Sequence, residues 1–147
     1  MRIYITRSTF EEFSWKITDG LTDYVETSFK LIEALESNGC RTDYVKESAF
    51  NGYDEIYEKI RCCDCLVAFT DRFTLASTWR SVEITYAHSG VGAYEKSDFH
   101  IPVFFYRGLD SHKCAFIESM LGRTGRIHAM PDNIEDAVKF FDDTMRR

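Results

Sequence analysis

Strand-like and helical segments alternate along nearly the whole chain. That alternation predicts one α/β domain: a mostly parallel central sheet of about five strands with helices on both faces, a three-layer sandwich. The runs Leu66–Phe69 and Ile101–Tyr106 are apolar, as strands covered on both faces are. The 147 residues, 44% hydrophobic and 29% charged, suit one folded, soluble domain over 1–147 with a sizeable core and no repeat, linker or low-complexity segment.

Arg2–Thr6 is the first expected strand. Arg7–Thr22 is polar with interspersed aromatics and reads as a long loop with room for a short helix. Asp23–Asn38 is helical: Val25, Phe29, Ile32 and Leu35 follow the helical period, and Gly39 suits the C-terminal cap. A short second strand over Arg41–Lys46 leads into a loop over Glu47–Tyr53, where Asn51-Gly52 is a turn signal. Asp54–Arg61 reads as a short helix with Ile56 and Ile60 on one face. Leu66–Phe69 is the third strand, and Thr70–Ala76 connects it to the next helix. Ser77 caps that helix or occupies its first turn, and Gly90 and Gly92 end it. Val91–His100 is a polar connection to the strand Ile101–Tyr106, whose start accommodates Pro102. Ser111–Leu121 reads as a helix and Arg126–Met130 as a last short strand. Pro131-Asp132-Asn133 opens a final helix with the apolar stripe Ile134, Ala137, Val138 and Phe141.

Composition excludes several function classes. A formal charge of -6 disfavours nonspecific nucleic-acid binding, so no nucleic-acid partner is expected. No apolar run approaches membrane-spanning length, and the opening MRIYIT resembles neither a signal nor a transit peptide, so a cytoplasmic protein without a membrane partner is expected. Five cysteines, an odd number, argue against a disulfide scaffold. Cys62-Cys63-Asp64-Cys65 has metal-like spacing but runs into a strand, where alternation turns Cys63 and Cys65 to the same face as buried thiols. A structural zinc site needs a second ligand pair, which the scattered histidines do not supply, so no metal is expected.

In open α/β sheets, ligands bind beyond the C-terminal ends of the strands. Three segments meet there: the one after Thr6, with Arg7, Ser8 and Phe10; the one after Phe69, with Thr70, Asp71 and Arg72; and the first turns of the helix from Ser77 onward. No P-loop and no GxGxxG follows any strand, which weighs against ATPases, GTPases and ordinary dinucleotide dehydrogenases. HExxH is absent, and no Ser-His-Asp order can be defended from four histidines. A phosphoacceptor role for Asp71 lacks the paired acids expected after the first strand. The helix Ser77–Ala87 remains, with Glu83 set among Trp79, Val82, Ile84 and Tyr86. That Glu is either an ordinary exposed helical acid or part of a site.

The segment Ala76–Glu83 resembles the signature of Toll/interleukin-1 receptor (TIR) domains: Ser77, Trp79 two positions on, and Glu83 four beyond the Trp. Arg80 stands where many members of that family have Cys. The order of segments from Gly52 to Phe105 is similar too, which implies a flavodoxin-like, TIR-like sandwich. Nucleoside 2-deoxyribosyltransferases share this general architecture. Glu83-Ile84-Thr85-Tyr86-Ala87 resembles their Glu-Leu-Gly-Tyr-Ala segment, and Tyr4 resembles the aromatic residue of their first strand. Their Gly-Pro after that strand is Thr6-Arg7-Ser8 here, and the Asp six positions before their Glu is Ser77.

Both resemblances imply attack at an electron-poor ribosyl carbon, with Glu83 as nucleophile or charge stabiliser. On the TIR resemblance the expected reaction is cleavage of the nicotinamide-ribose bond, with NAD a substrate rather than a cofactor. Arg7 and Arg72 then grip a pyrophosphate, Ser8 and Phe10 line the ribose or nicotinamide pocket, and Trp79 shapes the ring pocket. That family also implies self-association, with the Glu47–Tyr53 loop as a contact. The alternatives are a nucleoside or nucleotide N-glycosidase or deoxyribosyltransferase, and a non-enzymatic self-association module. Expulsion of a neutral nucleobase calls for a second acidic group, and Asp64 and Asp71 are nearest in sequence.

Overall fold

The structure, a computed structural model, describes residues 1–6, 21–45, 52–69, 78–92, 95–106 and 126–146, with the backbone alone for 21–25 and 78–80. One sheet contains β1 (Arg2–Thr6), β2 (Arg41–Asp43), β3 (Cys65–Phe69), β4 (Val103–Tyr106) and β5 (Ile127–Ala129), in the order β2-β1-β3-β4-β5. Every pairing among these strands is parallel. Four helices accompany them among the described residues: α1 (Leu21–Ser37), α2 (Tyr53–Arg61), α3 (Thr78–Ser89) and α4 (Ile134–Met145). This is the predicted α/β class, with the strand order of a flavodoxin-like sandwich.

A parallel sheet must bury both faces, and period-two alternation divides its side chains between two cores. On one face Ile3, Ile5, Val67 and Phe104 pack against Leu31 and Leu35 of α1 and Ala137 and Phe141 of α4. On the other, Tyr4, Leu66, Ala68, Val103 and Phe105 pack against Ile56 and Ile60 of α2 and Ile84, Tyr86 and Ala87 of α3. All five residues of β3 are buried, as befits the central strand.

Local chemistry sets the helix ends. Gly39 has φ 89, and its N–H donates to the Glu36 carbonyl while Cys40 N–H donates to the Leu35 carbonyl. This paired closure needs the left-handed residue that glycine supplies without strain. At the start of α4, the Asn133 side chain accepts from Asp136 N–H at 3.1 Å, and Glu135 and Asp136 complement the helix dipole. Arg146 donates to the Asn38 carbonyl at 2.9 Å, and Asn38 donates to the Asp142 carboxylate. These contacts tie the end of α4 to the end of α1.

Two expectations are corrected. Phe29 is 48% exposed, whereas Ser28, Leu31 and Leu35 are fully buried. Leu35 is buried as expected and Ile32 packs at the edge of the core, so the expectation fails at Phe29, whose place is taken by Ser28 and Leu31 where α1 packs against α4 as well as the sheet. Cys63 and Cys65 belong to opposite cores. The strand begins only at Cys65, so its alternation does not extend back to Cys63. Both thiols are buried as expected, and Cys62 is exposed. Burial pushes the Cys63 thiol up to about 11 and raises that of Cys65 as well. Strands β2 and β5 are shorter than expected, three residues each. The expected helix Ser111–Leu121, Cys114 and the connection Thr70–Ala76 lie outside the described residues, as do the loops expected over Arg7–Thr22 and Glu47–Tyr53 apart from Leu21 and Thr22, which open α1, and Gly52 and Tyr53 at the start of α2.

Beyond α3 the chain turns tightly at Gly90, φ 73, and a Cβ there would meet the Ser97 and Phe99 carbonyl oxygens at 2.5 and 2.6 Å. A Cβ on Gly92 would lie 2.5 Å from the Tyr57 ring, which is itself stacked on Tyr86 at 4.3 Å. Gly92→Ala is therefore expected to displace Tyr57 and lower stability by about 1–3 kcal/mol in urea denaturation. Phe141→Ala, which empties a fully buried site among Phe104 and its neighbours, is expected to cost about 3–5 kcal/mol by the same measurement.

Burial lowers the pKa of His88, aided by repulsion from Arg126 and His100, and burial alone lowers that of His128. The folded state then binds fewer protons than the unfolded one. The stability linked to these rings is present above the ordinary His value of about 6.5 and is lost as pH falls below it. The urea midpoint should fall between about pH 7 and pH 5.5. His128→Phe, packed beside Phe104 and Phe140, should flatten part of that slope.

Candidate active site

The chain runs from β1 to β2 on one side and then returns across β1 to place β3 on the other. Connections leaving β1 and β3 therefore diverge, and the crevice between their C-terminal ends is the topological switch point where such sheets bind ligands. At that end Thr6 is paired with Ala68, just as Tyr4 is paired with Leu66 below it. All four side chains face α2 and α3, since aligned residues on neighbouring strands share a face.

Helix α3 packs across β1, β3 and β4 on this face. It returns antiparallel to the strands, so its N-terminal turn lies at their C-terminal ends. The Ala87 carbonyl accepts from Ile101 N–H at 2.9 Å, near the foot of β4. Glu83 lies one turn above Ala87, about 6 Å along the axis. Its Cα–Cβ bond tilts toward the helix N-terminus, which lifts the carboxylate further toward the level of Thr6 and Ala68.

Glu83 is 0% exposed, so it is not an ordinary exposed helical acid. The helical period accounts for this: Glu83, Ala87 and Gly90 recur at four and three residues, and all three are buried. Removing a carboxylate from water costs several kcal/mol, and glutamates are rarely fully buried. Beneath α3 the Tyr4 ring is also 0% exposed. Glu83 and Tyr4, two residues singled out from the sequence, are thus both fully buried, one on α3 and one on β1 beneath it.

A third residue was not foreseen. Thr6 is 0% exposed, and its hydroxyl makes no hydrogen bond among the described residues. The expected site begins in the loop beyond β1, at Arg7, one residue after Thr6. The available signal was a hydroxyl closing an otherwise apolar strand, Ile3-Tyr4-Ile5-Thr6, at the switch point.

Other candidates are placed elsewhere. Asp64 precedes β3 and accepts from Arg2 N–H at 2.8 Å, at the opposite end of the sheet from Thr6 and roughly 13 Å away, four residues along the strand. It cannot serve as a second acid beside Glu83. Tyr86 is turned toward the foot of α3, where Arg61 donates to its hydroxyl at 2.7 Å and to Glu95 at 2.8 Å. Burial, reinforced by Glu95, pushes the Tyr86 phenol above its ordinary pKa. Arg7, Ser8, Phe10, Asp71, Arg72 and Ser77 lie outside the described residues. The backbone at Trp79 lies in the first turn of α3, and its side chain is outside the described set. No group of three metal-ligating side chains occurs among the described residues, and no helix there is long and apolar enough to cross a membrane.

A cleft of about 530 Å³ lies on the other face, between α1 and the start of α4, lined by Thr27, Lys30, Tyr106 and Asp132–Glu135. Two of its polar groups are engaged internally: the Tyr106 hydroxyl donates to the Asp132 carbonyl at 2.7 Å, and Asn133 caps α4. The buried acid and this cleft are thus separated by the sheet.

No protein-family model and no curated protein sequence matches the chain. Among solved structures it is similar to the Clostridium botulinum CMP N-glycosidase BcmB. The two are 17% identical, with a TM-score of 0.58 over 97% of this chain and 99% of that one. At that identity the likeness is one of fold, and it spans essentially the whole of both chains.

Proposed function

We propose that this protein cleaves the N-glycosidic bond of a nucleotide or nucleoside, with Glu83 acting at the anomeric carbon. One observation carries the reading: a fully buried carboxylate sits on the helix that covers the switch point. Its weight comes from chemistry. As the bond to the base breaks, positive charge develops on the sugar ring, and a carboxylate in a water-poor site stabilises that charge far better than one in bulk water. The same group can bond to the anomeric carbon, forming a glycosyl-enzyme that water then hydrolyses to free sugar and regenerated carboxylate. The fold-level likeness to a protein described as a CMP N-glycosidase supports the same bond class and favours nucleoside monophosphates as first substrates.

NAD is the second reading, and the Ser77-Trp79-Glu83 spacing favours it. Nicotinamide leaves as a neutral base and needs little acid assistance, so a lone carboxylate suffices. A nucleobase leaves well only when protonated, which calls for an acid besides Glu83. Asp64 is too far away to supply it. Self-association that completes the pocket belongs to this second reading.

Base release from CMP, the other nucleoside monophosphates, nucleosides, NAD and NADP distinguishes these substrates. Glu83→Gln is expected to melt cooperatively and to lose about 10²–10³ in kcat on whichever substrate is cleaved. Unchanged turnover in that variant would sink the mechanism. Absence of release from every substrate, even at high protein concentration, would favour a non-catalytic self-association module.

A further inference from the structure

We propose that the Thr6 hydroxyl is a substrate contact that hydrogen-bonds a hydroxyl of the sugar and makes the site selective for a hydroxylated ribose. This inference rests on the N-glycosidase reading.

Three observations converge on Thr6. Its side chain is 0% exposed and its Oγ1 has no hydrogen-bond partner among the described residues. An unmade bond of this kind costs about 1–3 kcal/mol, and buried polar groups are nearly always satisfied. It is the last residue of β1, paired with Ala68 of β3, and so stands at the switch point. It shares the sheet face that α3 covers, the face toward which Glu83 is turned.

Valine would fill the same volume, suit a strand at least as well, and carry no unsatisfied group. A hydroxyl at this position therefore calls for a partner that the described residues do not provide. On its sheet face Thr6 is flanked by Ala68 and, beyond it, Phe105, whose side chains offer no polar partner. A substrate hydroxyl fits well. When the anomeric carbon is held against the Glu83 carboxylate, the sugar is the part of the nucleotide nearest the acid, while the base departs away from it. A threonine hydroxyl both donates and accepts, which complements another hydroxyl. A phosphate would instead call for cations or clustered backbone N–H groups.

The test uses Thr6→Val and Thr6→Ser in the full chain with CMP and its 2′-deoxy and 3′-deoxy counterparts, read by base release and by titration calorimetry. Thr6→Val is expected to melt at or above the wild-type temperature, since it removes an unsatisfied group. Its kcat/KM on the ribonucleotide should fall roughly 10- to 100-fold, with a much smaller loss on the deoxy counterpart that lacks the contacted hydroxyl. Thr6→Ser should retain the ribonucleotide preference. Equal losses on all three sugars would overturn the proposal in favour of action through Glu83. Retained activity, or a lower melting temperature with unchanged sugar preference, would overturn it in favour of a structural hydroxyl. Calorimetry with Glu83→Gln separates this inference from the reaction itself. Hydroxyl-dependent binding erased by Thr6→Val upholds the contact even if wild type releases no base, and no binding of any of the three at millimolar concentration overturns it.

Discussion

The parallel pairing of β1 with β3 is the contact on which the rest of the molecule depends. Ile3–Thr6 lie beside Cys65–Ala68 in register, and neither face of that pairing can be left to water. One face requires α1 and α4, the other α2 and α3. Once Ile84, Tyr86 and Ala87 are used to cover the sheet, α3 must lie flat across β1, β3 and β4. The residue one turn above Ala87 is then turned toward the sheet, and that residue is Glu83, 0% exposed. Its burial follows from the need to cover a parallel sheet, together with the period of the helix.

The two ends of α3 are built for different purposes. At the foot every feature is structural. Tyr86 stacks between Tyr57 and Phe99, Arg61 bridges Tyr86 and Glu95, and Gly90 and Gly92 allow the backbone to approach closely. Arg61, Tyr86 and Glu95 are paired there and the rings are wedged, although the buried His88 Nδ1 has no hydrogen-bond partner among the described residues. Above the foot α3 carries the buried carboxylate of Glu83, over the sheet face on which the unsatisfied Thr6 hydroxyl closes β1. A tightly packed foot holds the helix, and with it the acid above, in place. The opposite face shows none of this asymmetry. There α1 and α4 are joined through Asn38, Asp142 and Arg146, and Cys40 and Cys65 fill core space.

Much of this was legible in the chain of residues, and its errors are instructive. Gly39 and Asn133 marked helix ends because caps are local hydrogen-bond problems, solved within a few residues. The apolar run at Leu66–Phe69 marked the central strand because only a strand covered twice is apolar throughout. Phe29 falls outside the buried stripe because the helical period leaves the edge of a stripe open, and only the position of α4, a hundred residues later, fixes that edge. Cys63 and Cys65 were placed on one face because alternation was extended beyond the strand's first residue. Thr6 was passed over because a threonine at a strand end is unremarkable until its neighbours are known.

The sequence by itself determined the α/β class, the order of the elements, the helix termini beside Gly39 and Asn133, and Glu83 as the acid to watch. These depend on periodicity, capping and composition, all of which act over a few residues. Only the tertiary structure decided that Glu83 is buried rather than exposed, that Asp64 stands at the wrong end of the sheet, and that the Thr6 hydroxyl lies at the switch point on the face toward which Glu83 is turned. Those facts follow from the crossover that sets β1 between β2 and β3, and register between strands distant in sequence is not written in any local pattern.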